Sequence, residues 1–193
     1  MPIEVVPYDP LWPTRFDRTR GDLVTALAAV PIRSIEHIGS TSVPGLDAKP
    51  ILDIDVVVQR QNLHPAIDAL ARAGYEHRGD LGIPDRHSLR APDDGVRRSV
   101  YVVVEGSLAL RNHLTVRDAL RASPSLRSEY AALKHRLTAE VEDIDSYVAG
   151  KTDLLVRVLS EAGFRPSEID AVRSVNLPPG PASRTARIRE ARR

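Results

Sequence analysis

Apolar positions along the chain change their period several times, and each change marks an element. Ile3 to Val6 is a short extended stretch ended by Pro7 and Pro10. Pro13 suits the first turn of a helix, which Phe16, Leu23, Val24 and Leu27 continue at helical spacing as far as Pro31. This helix is expected to cover one face of a sheet, with Trp12 as a packing anchor in preference to a stacking platform for a base. Ile32 to Ile38 reads as a first core strand and ILDIDVVV, residues 51–58, as a second. Asn62 then caps a helix with Pro65 in its first turn, a buried stripe of Leu63, Ile67, Leu70 and Ala71, and Gly74 as its stop. Tyr75 to Arg78 reads as a short strand, LGIPDRHSLR as a loop, Asp94 and Gly95 as a hairpin turn, and Ser99 to Glu105 as a central strand.

From Leu108 the period becomes helical. Asn112 to Arg121 makes one helix, and Ser123 with Pro124 caps a second in which Leu126, Tyr130, Leu133, Leu137 and Val141 recur. A third is expected from Asp145 to Ala162, stopped by Gly163. After Phe164 the period is lost. NLPPGPASRTARIREARR carries five arginines against one glutamate and reads as a flexible basic tail, either solvated or docked on an acidic partner or nucleic acid. Strands alternating with helices give the fold class α/β (α+β). The expected organisation is an α/β core over 1–106, a helical portion over 107–164 packed on it in the same domain, and a tail over 165–193.

Composition narrows the chemistry. The 193 residues include no cysteine, which excludes disulfides, thiolate zinc sites and cysteine nucleophiles. No basic start leads into an apolar run of signal-peptide length, and no run nears the 18 or so residues of a membrane span, so a cytoplasmic protein without membrane attachment is expected. A net charge of +1, 4% aromatic residues and no groove-reading motif argue against dedicated nucleic-acid binding. A kinase-type glycine-rich phosphate loop is also absent.

The chemistry concentrates in HIGSTSVPGLDAKPILDIDVVV, His37 to Val58. Alternate strand residues share a face, so Asp53 and Asp55 project together while Ile54 and Val56 face the other way. Paired carboxylates repel, and one pKa rises unless a cation lies between them. A hard divalent ion shared with a substrate phosphate, Mg²⁺ or Mn²⁺, resolves the conflict. The structural alternative is a pair of acidic residues that merely cap or pair at a strand end. Upstream, with twelve residues between it and the first carboxylate, a Gly39-Ser40 pair allows close backbone approach at the glycine and adds a hydroxyl at the serine, in a turn suited to anions. Thr41 and Ser42 extend its hydroxyl set. His37 either buttresses this loop or meets phosphate in the site. Lys49 is either a phosphate partner or a solvated lysine ahead of the strand.

A Gly-Ser pair followed by Asp-x-Asp on a strand resembles the DNA polymerase β-type nucleotidyltransferase superfamily. The fuller string is similar to the hallmark of the GrpB family, a bacterial family of that superfamily. VPYDPLWPTRF near the start, GIPDRH at Gly82 to His87, VRDALR at Val116 to Arg121, Tyr130 with Lys134 and Tyr147 with Lys151 agree with it in order. The resemblance implies a nucleotidyltransferase-like mixed sheet flanked by helices. It also implies Mg²⁺-dependent transfer of a nucleoside monophosphate from a nucleoside triphosphate to an acceptor, small molecule or protein, that the sequence does not name. Asp53 and Asp55 would be the catalytic, metal-holding pair. His37, Gly39, Ser40, Thr41, Ser42, Arg86, Arg117, Lys134 and Lys151 would be the candidate nucleotide and phosphate contacts. Active members usually carry a third carboxylate on a later strand. Here Tyr101 lies mid-strand and Glu105 at the strand's end, so none is assignable. The alternative is a non-catalytic module binding a nucleotide or another phosphorylated ligand. Domains of this type also occur fused to dephospho-coenzyme A kinase, which points that alternative toward coenzyme A metabolism.

Overall fold

Alternating β-branched residues and their fit to neighbouring strands set the centre of the molecule. The computed structural model describes residues 3–176. Its five strands are β1 (Ser34–Ile38), β2 (Leu52–Val58), β3 (Glu76–His77), β4 (Arg86–Arg90) and β5 (Arg98–Val104), in the spatial order β1-β2-β5-β4-β3. β2 and β5 run parallel and the other neighbours antiparallel, giving the mixed sheet.

The register divides the sheet into two faces. On one, Ile54, Val56, Val100 and Val102 are fully buried beneath α1 (Trp12–Ala26) and α2 (Leu63–Arg72). Trp12 belongs to this core, 2% exposed and edge-on to Tyr8 at 5.3 Å, as expected of a packing anchor. On the other face Val57 and Val103 pack against Ala109 and Leu110 of α3 (Leu108–Ala122), and Asp53, Asp55, Ser99 and Tyr101 also lie there, beside Ile38. α4 (Pro124–Glu140), α5 (Ile144–Gly150), α6 (Thr152–Glu161) and α7 (Pro166–Asn176) continue from α3. Among the described residues no helix is long and apolar enough to cross a membrane.

Three expectations change. The last five residues of the expected loop, RHSLR, form β4, because pairing with the buried β5 outweighs a sequence in which Leu89 alone is aliphatic. The single helix expected over 145–162 is broken at Lys151. Gly150 lies so close to Leu137 that an added Cβ would strike that side chain, and α6 restarts one residue later. The tail expected from 165 instead begins with α7. Its Glu168 accepts the Arg165 N–H at 2.9 Å and pairs with Arg111 at 2.7 Å, while Val172 packs with Leu159 and Phe164. The arginine-rich stretch 177–193 lies outside the described residues.

Trp12 lies in the core of the sheet face away from Asp53 and Asp55. Trp12→Ala is therefore expected to cost about 3–5 kcal/mol in urea unfolding and to leave ligand affinity of the folded protein unchanged. A loss of affinity at unchanged stability would contradict its placement.

Candidate functional site

The polar face of the sheet forms the floor of a cavity of about 420 Å³. Asp53 stands beside Ser99 in the register and Asp55 beside Tyr101, so both carboxylates share a face as strand parity requires. The Gly39 turn packs directly on Asp53. Gly39 has φ +68°, and a Cβ there would collide with the Asp53 carboxylate and lie 2.9 Å from its Cβ. The close approach this glycine permits is thus first to a carboxylate of its own chain. Ser40 opens a turn of 3₁₀ helix, Ser40–Ser42, and Ser40 and Thr41 line the cavity.

The two carboxylates are not equivalent. Asp53 is pushed up to about 6, chiefly by burial, with Asp55 contributing less and His113, Lys151 and Lys49 opposing. Desolvation, more than mutual repulsion, dominates. Asp55 is fully buried. Its Oδ2 lies 2.8 Å from Nδ1 of His113, and its Oδ1 has no hydrogen-bond partner. A buried carboxylate oxygen without a partner is costly, and with Asp53 it presents hard oxygen donors of the kind Mg²⁺ or Mn²⁺ takes. The donors present therefore fit such an ion. Among the described residues no group of three or more His, Cys, Asp or Glu side chains is arranged to hold one, which leaves its remaining positions to substrate and water.

The helices supply cations opposite this floor. Lys49, Lys134 and Lys151 all line the cavity, with the Lys151 ammonium 4.6 Å and that of Lys49 5.6 Å from the centre of the Tyr147 ring. The helix break at Gly150 presents Lys151, whose ammonium makes no hydrogen bond or ion pair among the described residues. Burial pulls it down to about 8, Asp53 opposing. Lys134 is 2% exposed, donates to the Asp47 carbonyl and lies over Tyr130; burial, then Lys151, takes it down to about 7. Burial also lowers Lys49. Arg117 lines the wall but is engaged, with Nη1 2.9 Å from Glu36 and Nε 2.7 Å from Asp118.

Asp55 lies beneath the lining and not in it, and three expected phosphate contacts also fall outside it. His37 is the register partner of Ile54, on the opposite face. It stacks on Phe16 at 4.6 Å, and its Nε2 lies 3.0 Å from Thr41 Oγ1. Burial, then Arg121 and Arg117, takes it down to about 4. It is the buttress of the turn. Ser42 turns inward, its hydroxyl donating to the Gly39 carbonyl at 2.6 Å. Arg86 is buried behind Tyr101, its guanidinium 4.5 Å from the ring centre.

Other carboxylates near the site are committed. Glu36, the register partner of Asp55 on β1, pairs with Arg117, and Glu105 pairs with Arg33 at 3.0 Å. No motif in the sequence marks His113 as part of the site; its signal there is an imidazole beside Asn112 within an amphipathic helix.

The Asp53 shift has a sign that can be checked. Raised from 3.8 to about 6, its carboxyl holds a proton more tightly in the folded chain, so stability falls as pH rises between those values and the loss is complete above them. Without divalent ions, Asp53→Asn is expected to exceed the parent at pH 8 by up to about 3 kcal/mol. The gap should narrow as pH falls toward 4. Urea unfolding in EDTA reads both, and equal stability at pH 8 would contradict the burial of this charge.

The arrangement has counterparts in other proteins. The family described as GrpB protein matches residues 2–161. A UPF0157 protein of Streptomyces coelicolor is 38% identical over 158 residues, covering 81% of this chain and 82% of that protein. A UPF0157 protein of Bacillus subtilis, 34% identical over 153 residues, aligns with 78% of this chain, which spans 44% of that longer protein. A Mycolicibacterium paratuberculosis protein named dephospho-CoA kinase is 29% identical over 177 residues, 78% of this chain and 43% of that protein. Among solved structures, GrpB from Enterococcus faecalis superposes with a TM-score of 0.71 at 29% identity, over 89% of this chain and 98% of that one. A cytoplasmic RNA terminal U-transferase reaches 0.54 at 11% identity, over 78% of this chain and 48% of that one. This last likeness is one of fold, and it makes the mixed sheet nucleotidyltransferase-like. Matched in sequence along most of its length and in fold to nearly the whole of a solved relative, this chain belongs to the GrpB family.

Proposed function

We propose that the cavity binds a nucleoside triphosphate with Mg²⁺ and transfers its nucleotidyl group to an acceptor. The observation that carries this reading is the pairing of Asp53 and Asp55 on one strand face, with an unpartnered Asp55 Oδ1, beneath a cavity that Asp53 lines together with three lysines. Asp53 and Asp55 would hold the ion, which supplies charge neutralisation at attacking and leaving oxygens. Lys151 and Lys49 orient the polyphosphate, and Lys134 holds the wall through the Asp47 carbonyl. Ser40 and Thr41 present hydroxyls beside the carboxylates. His113, oriented by Asp55 and lining the cavity, stands where an acceptor proton can be taken up.

One observation favours a second reading, a module that binds the nucleotide without transferring it. The residue beside Asp55 on β5 is Tyr101, not a third carboxylate. The relative named dephospho-CoA kinase gives this module a place beside coenzyme A chemistry.

Both readings require nucleotide binding, and transfer requires an acceptor as well. Thermal unfolding with each nucleoside triphosphate, with and without Mg²⁺, is expected to show a magnesium-dependent rise. Ligand at 100 times Kd stabilises by about 2.7 kcal/mol, and for a chain of this size each kcal/mol raises Tm by about 2–4 °C. Asp53→Ala with Asp55→Ala should abolish the rise whatever its own baseline Tm. No rise with any nucleotide in the folded parent would sink both readings. A rise without turnover across hydroxyl and amine acceptors would favour the module.

A further inference from the structure

Two side-chain atoms are buried without a partner among the described residues, and they carry opposite charge: Asp55 Oδ1 and Arg86 Nε. Both belong to the same sheet face. Asp55 is the register partner of Tyr101 on β5, and Arg86 pairs with Val103, two residues further along that strand. Between them stands the Tyr101 ring, with the guanidinium 4.5 Å from its centre.

Arg86 is only 9% exposed, yet its guanidinium makes no hydrogen bond or ion pair among the described residues. A buried charge left alone is expensive, so neighbouring charge must offset it. The carboxylates that act on it are, in order, Asp55, Asp53 and Asp80. A cation facing the ring contributes further. Arg86 is thus held by the electrostatic field of the carboxylate pair and not by a direct bond to it.

Resting on the metal site described above, we propose that Arg86 is the resident counter-charge of Asp53 and Asp55, fixed behind Tyr101, and that it competes electrostatically with a divalent ion for this pair. A fixed cation on the same face lowers the affinity of the carboxylates for a further cation. Arg86 then acts through Tyr101 and the field without touching nucleotide, which accounts for its absence from the cavity wall.

The test is Mn²⁺ alone, followed by electron paramagnetic resonance of the free ion, on the parent, Arg86→Gln, Arg86→Lys and Asp53→Asn with Asp55→Asn. The parent is expected to bind one Mn²⁺ per chain, lost in the double carboxylate variant. Arg86→Gln, which removes a cation near a cation site, should bind Mn²⁺ about tenfold more tightly. Arg86→Lys should stay close to the parent. Unchanged or weaker Mn²⁺ binding in folded Arg86→Gln would overturn the proposal while leaving the carboxylate site intact. Mn²⁺ binding that survives the double carboxylate variant, or no binding by the parent, would overturn the metal site itself and this proposal with it. Should Arg86→Gln fail to fold, the Arg86 Nε–H resonance of the parent reads the proximity to the ion that the proposal requires. Stoichiometric Mn²⁺ should broaden it away, and a resonance unaffected at saturation counts against the proposal.

Discussion

Two carboxylates on one strand of an otherwise apolar sheet are the constraint on which the rest of this structure turns. β2 cannot leave Asp53 and Asp55 uncompensated, because burial penalises each charge and proximity adds to it. The molecule meets the problem from three sides. His113 of α3 holds one oxygen of Asp55, lysines from beyond the sheet share a cavity with Asp53, and Arg86 lies behind Tyr101. Even so, Asp53 remains raised to about 6 and one oxygen of Asp55 remains bare. That residual conflict is what the proposed divalent cation would relieve.

The helical part follows from the same requirement. α4 brings Tyr130 and Lys134, the break between α5 and α6 brings Tyr147 and Lys151, and each ammonium rests on the ring four residues before it. Aromatic rings let these lysines be buried at a tolerable cost, while the lowered values of Lys134 and Lys151 record the cost that remains. Gly150 has a local steric duty against Leu137 and, through the helix break, a distant one in placing Lys151. The turn at Gly39 is similarly double, packing against Asp53 while leaving Ser40 and Thr41 on the cavity wall.

Much of this was legible in the sequence because it depends on local period. Strand parity placed Asp53 and Asp55 together, and apolar stripes located the helices that cover the sheet. What was not legible depends on pairing between distant segments. β4 is a strand because β5 is beside it, and no alternation in RHSLR says so. His37 and Asp55 lie on opposite faces because of the β1 to β2 register, which two separate strand readings do not supply. His113 meets Asp55 across 58 residues. α7 was read as tail because Ile169 and Val172 make too sparse a stripe to announce a helix, and its buried Glu168 is satisfied only by Arg111 and Arg165.

The most direct measurement is anomalous diffraction from crystals grown with Mn²⁺ and a non-hydrolysable nucleoside triphosphate analogue. The account predicts an anomalous peak in contact with Asp53 and Asp55, and phosphate density running from it toward Lys151 and Lys49. Manganese elsewhere, or phosphates bound away from the three lysines, would contradict it.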